Sequence, residues 1–228
     1  IISSICSKKE VFTLFKFCQI LSVLALCFFC YLASKASAEK IPQTYGDAMR
    51  WYEKAAKGGN TKAQFLLAYM HETGNGRPYN HSLAVKWYIR AAEKNHSRAQ
   101  FRLGMLYSKD SSKTTDFKKA AIWYEKASKN GLAQASFNLG VFFERGLGVK
   151  KDLSKAKELY FSASKKGVAA AQVNLGLLLA ASGKEDRQAL IQAWLWLSRA
   201  KIQNFPNAKV VLGNITKQLT TLELREAQ

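Results

Sequence analysis

Three basic residues, Lys54, Arg90 and Lys126, stand 36 residues apart, and Arg199 follows after an interruption at Ser162. Fixed cations at a fixed spacing do the chemistry of binding rather than turnover: a row of them attracts carboxylates, phosphates or sulfates and weakens with salt. Arg50, Lys57, Lys86 and Lys129 add charge nearby. The plain alternative is a solvated face, because long basic side chains cover apolar stems while their heads stay in water.

Other reactive residue types are sparse. The histidines are His71, His81 and His96, and none has a second ligand type four residues away. His71 falls on a helical apolar face, which makes it a core residue. All four cysteines, Cys6, Cys18, Cys27 and Cys30, precede residue 31, so the chain beyond them has no thiol for a disulfide or a metal. Nucleophile-elbow, zinc-protease and Walker sequences are absent. Gly146-Leu147-Gly148 looks like a phosphate loop, but it follows a helix rather than a strand. No catalytic group, cofactor or metal is therefore expected.

The basic row has to be carried by helices. Ala48, Trp51, Tyr52 and Ala55 recur as Ala84, Trp87, Tyr88, Ala91, then as Ala120, Trp123, Tyr124, Ala127, and as Ala156, Leu159, Tyr160, Ala163. This i, i+3, i+4, i+7 spacing lines one face of a helix. A second helix follows each time, on Ala63, Leu67, His71; Ala99, Leu103, Tyr107; Ala135, Leu139, Phe143; and Ala171, Leu175, Leu179. The residue after each leucine is small: Ala68, Gly104, Gly140, Gly176. Glycine costs a helix about 1 kcal/mol against alanine, so its recurrence predicts a notch where a neighbouring ring crosses closely. Four tryptophans, Trp51, Trp87, Trp123 and Trp196, belong to the packed face. Trp194 lies outside that phase and is placed either at the surface or on the C-terminal cap.

The punctuation repeats as well. Thr44, Asn80, Asp116 and Asp152 are N-cap types four residues ahead of each leading alanine. Gly59, Asn95, Gly131 and Gly167 close the first helix of each pair. Paired glycines, Gly74 with Gly76 and Gly146 with Gly148, close the second helix in repeats one and three. Asp110 and Ser112 replace them in repeat two, so the loop S-K-D-S-S-K-T-T is expected to be more mobile. A fifth unit, one residue out of phase, reads Ala193, Trp196, Ala200, then Ala208, Leu212, Gly213. Pro206 is expected in the first turn of its second helix. Thr220 to Glu223 has the form of a capping box.

The first 38 residues differ from the rest. Lys8, Lys9 and Lys16 lead an uncharged apolar run from Phe17 to Ser34, and Ala36-Ser37-Ala38 follows. These are the parts of a secretory signal peptide, with cleavage expected after Ala38. The alternative is an uncleaved membrane anchor, for which the run is barely long enough. The leader carries Lys8, Lys9, Lys16 and Lys35 against Glu10, so its loss takes the formal charge from +19 to +16. Residues 1–38 are thus read as a leader and 39–228 as the repeat domain with a C-terminal capping helix, periplasmic or secreted.

The segment A-A-I-W-Y-E-K-A-S-K-N-G-L-A-Q-A-S-F-N-L-G-V-F-F-E-R-G-L-G-V-K-K-D, Ala120 to Asp152, resembles the Sel1-like repeat, a relative of the tetratricopeptide repeat. The resemblance extends over roughly residues 44 to 215. It departs at Leu159, at Ser164 and in the loop after Ser108. It implies an all-α fold, a right-handed α-solenoid of about five helix-turn-helix repeats, with a concave surface that serves as an adaptor or scaffold. The motif residues are structural and identify no binding site. The expected role is therefore a monomeric binder of a protein or peptide, its acidic groups meeting Lys54, Arg90, Lys126 and Arg199. The competing reading is a binder of anionic envelope polymers, lipid headgroups or nucleic acid; the export signal argues against the last.

Overall fold

Asn80, Asp116 and Asp152 each accept a hydrogen bond from the backbone N–H three residues on, at 2.9, 3.0 and 2.9 Å. Each satisfies an orphan donor at a helix start, and a 13-residue helix follows. The computed structural model describes residues 45–109, 116–182 and 186–227. Its helices are α1 (Tyr45–Lys57), α2 (Thr61–Thr73), α3 (His81–Glu93), α4 (Ser97–Ser108), α5 (Phe117–Lys129), α6 (Ala133–Arg145), α7 (Leu153–Lys165), α8 (Ala169–Ser182), α9 (Arg187–Ile202), α10 (Ala208–Thr216) and α11 (Thr221–Glu226). The chain divides into two compact units, Ile1–Ala48 and Met49–Gln228. Of the first, only the opening turn of α1 is described. Thr44, the leader and the loop residues Asp110 to Thr115 lie outside the described residues.

Within Met49–Gln228 the helices pair antiparallel in chain order as an α-solenoid. The expected faces are buried: Ala84, Trp87, Tyr88 and Ala91 on α3, and Ala156, Tyr160 and Ala163 on α7. Trp51, Trp123 and Leu159 are half-buried. Buried residues fall into three successive clusters along the chain, from Ala56 to Leu103, from Ala120 to Phe142, and from Ala156 to Leu219. Each unit thus touches only its neighbours, as a repeat stack requires.

The notch is real, and tyrosine fills it. A Cβ built on Gly104 would stand 2.6 Å from the Tyr124 ring, and one on Gly140 2.7 Å from the Tyr160 ring. At Gly176 the neighbour is Leu197, 2.8 Å away, in keeping with the one-residue offset of the fifth unit. Each glycine meets the first helix of the following unit. The ring hydroxyls are tied down as well. Tyr88 Oη donates to Glu72 and Tyr160 Oη to Glu144, each at 2.5 Å. At Tyr124 the carboxylate is replaced by Ser108, at 3.3 Å. Burial first, then the adjoining carboxylate, pushes the Tyr88 and Tyr160 hydroxyls well above the usual phenol range.

Cross-repeat hydrogen bonds alternate between two forms that the periodicity did not predict. Lys94 and Lys166 donate to the carbonyl oxygens of Gly59 and Gly131, 35 residues back, at 2.6 and 2.7 Å. At the same register, Asn130 donates to Gln100 Oε1 at 2.8 Å and Gln203 to Gln172 Oε1 at 3.0 Å. Those glutamines are buried and donate in turn to Ala92 and Ser164 carbonyls, closing the turn inside each pair.

Three expectations are corrected. Pro206 lies in the turn before α10, not in its first turn, because Asn207 at φ +62° precedes the helix. Gly213 forms no notch: a Cβ there meets nothing within 4 Å. In α6 it is Phe142 that is buried, with Phe143 half-buried. The capping box at Thr220 and Glu223 is present, and Arg187 pairs with Glu223, tying α11 to the start of α9.

His71 is a buried residue of α2, as expected, with Arg77 Nη1 3.4 Å from its Nε2. Burial first, then Arg77, lowers its pKa. His96 caps α4 by accepting from Ala99 N–H at 3.2 Å, a role the sequence did not announce. Burial first, with Arg98 and Lys62 nearby, lowers its pKa too. Both folded-state values lie below the unfolded value near 6.5, so the folded chain favours the neutral rings. Stability is then full above about pH 6.5 and falls as the pH drops below it, because the unfolded chain takes up protons first. We expect a lower melting temperature at pH 5 than at pH 7.5. His96→Asn, which keeps a cap without the titration, narrows that gap; an unchanged gap would clear His96 of the effect.

Candidate protein-interaction surface

Lys54, Arg90, Lys126 and Arg199 occupy one register position on α1, α3, α5 and α9, three residues after each tryptophan. All four are exposed. The helix supplies the geometry, since residues at i and i+3 lie on the same face. Arg90, Lys126 and Arg199 rest their cations over the rings of Trp87, Trp123 and Trp196, at 4.5, 4.4 and 4.6 Å from the centroids. The ring holds the stem while the charge keeps access to solvent. None of the four forms an ion pair among the described residues. Among their basic neighbours, Lys57 pairs with Glu53 at 3.1 Å and Lys129 with Glu125 at 2.8 Å. Ser162 leaves α7 without a cation at this position, and there Lys165 lies 5.6 Å over Phe161 instead.

Among the described residues the surface carries open clefts, two of which are lined by apolar side chains. One, of about 490 Å³, lies between α7 and α9 over α8 and is lined by Phe161, Leu175, Leu179 and Trp196 with polar residues at its edge. The other, of about 600 Å³, lies among α2, α4 and the start of α6, with Phe65, Tyr69, Phe101, Met105 and Leu132 in its walls. Sequence reasoning missed both. The signal for the first was present: Phe161 stands where the other repeats carry Glu53, Ile89 and Glu125. Trp194, left open by its phase, packs on the C-terminal end: its Nε1 donates to Thr216 Oγ1 at 3.0 Å. Among the described residues, no cluster of His, Cys, Asp and Glu could hold a metal, and no helix is long and apolar enough to cross a membrane.

Helix pairs in phase, with notched seams between successive units, define an α-solenoid repeat protein. The chain belongs to the Sel1 repeat family, which matches at residues 25–60, 61–96, 97–132, 133–168 and 169–205. Each full match joins the second helix of one pair to the first helix of the next, the seam where the tyrosines meet the glycines. The first match begins inside the apolar run read as part of the leader.

A protective antigen of uropathogenic Escherichia coli with the same repeat fold superposes with a TM-score of 0.69 at 33% identity, over 85% of this chain and 41% of the antigen. This chain therefore spans less than half of that protein. A Sel1 repeat protein from Oxalobacter formigenes gives 0.64 at 33% identity, over 74% of this chain and 69% of its own. No curated protein matches the chain significantly. Sel1 repeat proteins generally mediate protein–protein interactions, and their solenoid is typically a non-catalytic scaffold.

Proposed function

We propose that the chain is an exported adaptor that holds an acidic protein segment against the first helices of its repeats. The observation that carries this is the row Lys54, Arg90, Lys126 and Arg199: exposed, without an ion pair among the described residues, and three of them braced on tryptophan. A solvated face would rest its stems on the rings as well, and partner capture separates the two readings. Export rests on the leader before Glu39; the antigen nature of the Escherichia coli relative agrees with it.

The test is capture of envelope proteins on the immobilised chain, compared with the Lys54→Gln, Arg90→Gln, Lys126→Gln, Arg199→Gln variant. A melting curve verifies that the variant still folds. Loss of the row should weaken capture about ten-fold and flatten its salt dependence, since rim charges act mainly through steering and complementarity. The exported form should begin at Glu39 on N-terminal sequencing. Undiminished capture by the variant would remove the row from function. Capture of nucleic acid or anionic polymer in place of protein would replace the adaptor reading with the competing one.

A further inference from the structure

The fourth repeat departs from the others at two neighbouring positions of α7. Where α1, α3, α5 and α9 carry a tryptophan, α7 has Leu159. Where α1, α3 and α5 carry Glu53, Ile89 and Glu125, it has Phe161. An aromatic ring has in effect moved from the packed seam to a place where it is 47% exposed. That ring meets Trp196 of α9 edge to face, centroids 5.9 Å apart. Together the two rings wall the 490 Å³ cleft, and Leu175 and Leu179 of α8 form its floor. The volume lies at the low end for ligand sites, enough for one or two side chains.

The charge around the cleft is mostly of one sign. Lys157 stands at its edge, Lys165 lies over Phe161, and Arg199 lies over Trp196; Glu158 is the one carboxylate in the lining. Ser154 and Gln192 offer uncharged hydrogen-bonding groups at the same edge. An apolar floor inside a cationic rim complements a bulky apolar residue flanked by acidic ones. Nucleic acid fits less well. Base stacking needs open ring faces, whereas here the rings meet edge to face and a face of each carries a cation.

We infer that the cleft between α7 and α9 is an anchor site for one large apolar side chain, phenylalanine or leucine, of an acidic peptide segment. This rests on the adaptor reading above and extends it: the cation row supplies salt-sensitive attraction, and the cleft supplies selection by side chain. The anchor sits next to the last member of the row, Arg199, so a single extended segment reaches both.

The test uses the purified chain and fluorescein-labelled nine-residue peptides, with four Asp or Glu on either side of a central Phe, Leu or Ala. Anisotropy titrations should give affinities for the Phe and Leu peptides at least about ten-fold above that for Ala, the scale expected when such a side chain leaves water. Phe161→Glu should abolish that preference. Glutamate is the residue of α1 and α5 at this position, so α7 should tolerate it, which a melting curve verifies. Phe161→Leu should keep the preference. The four-glutamine variant of the cation row should lose affinity by the same factor for all three peptides.

Equal binding of the Phe, Leu and Ala peptides overturns the anchor site. If the four-glutamine variant still loses affinity in that case, the adaptor reading stands without it. A preference that survives Phe161→Glu also overturns the anchor. Equal binding of a lysine-flanked Phe peptide overturns the choice of an acidic partner. Binding only to single-stranded oligonucleotide or to anionic vesicles overturns both readings.

Discussion

Tyr160→Ala should cost the stack about 3–5 kcal/mol, the usual price of truncating a buried aromatic residue. Tyr160 is fully buried. Its ring rests on the Cα of Gly140, where a Cβ would come within 2.7 Å, and it packs against Phe137 at a tilt of 36° with centroids 5.8 Å apart. Alanine there leaves a void that the glycine cannot close, since it has no side chain to rearrange. The hydroxyl is a separate matter. Tyr160→Phe keeps the ring but strands the half-buried Glu144 carboxylate, at a cost of about 1 kcal/mol. Urea titrations of the two variants separate the contributions. Because each repeat is held only by its neighbours, the loss should also uncouple the two sides of the α6–α7 seam. Hydrogen exchange should then rise first in α6 to α9. Equal losses from the two substitutions would mean that the hydroxyl–carboxylate pair, not the ring in its notch, holds the seam.

Gly148→Ala is expected to destabilise by about 2–5 kcal/mol, from two sources that a control can divide. Its φ of +65° is left-handed, which costs a non-glycine residue about 1–2 kcal/mol. A Cβ there would also stand 2.3 Å from the carbonyl carbon of Phe117 and 2.5 Å from the Lys118 nitrogen. Those are backbone atoms in the first turn of α5, so they cannot swing away as a side-chain tip would. Displacing them adds about 1–3 kcal/mol, as overpacking does. Gly146→Ala is the control. It has a similar φ of +72°, but its Cβ would meet nothing nearer than 3.5 Å. The difference between the two variants in denaturant measures the approach of the glycine loop to α5. No difference would show that the loop yields and that the contact is not a fixed part of the stack.

Much of this architecture was legible in the chain because a solenoid makes its long-range contacts at a constant separation. The seam partners Gly140 and Tyr160 are 20 residues apart, and the same pair recurs as Gly104 and Tyr124. Helix starts at Asn80, Asp116 and Asp152 were readable because a cap is a local event, complete within four residues. His96 escaped notice as a cap, since an imidazole seldom plays that part and its Nδ1 qualifies only when unprotonated. Gly213 misled: it carries the motif glycine, but no ring packs against it.

Helix type, register, turn residues and the existence of the notches followed from residue order, since each depends on a few consecutive side chains or on strict periodicity. Folding decided the rest: that tyrosine rather than tryptophan enters the notch, that cations lie over the tryptophan rings, and that Phe161 meets Trp196 across an open cleft. These depend on how far side chains from different helices reach in space. Where the repeat breaks, at Leu159, Ser162 and the offset fifth unit, no neighbouring copy shows what the new residue will touch, and only the packed helices supply the answer.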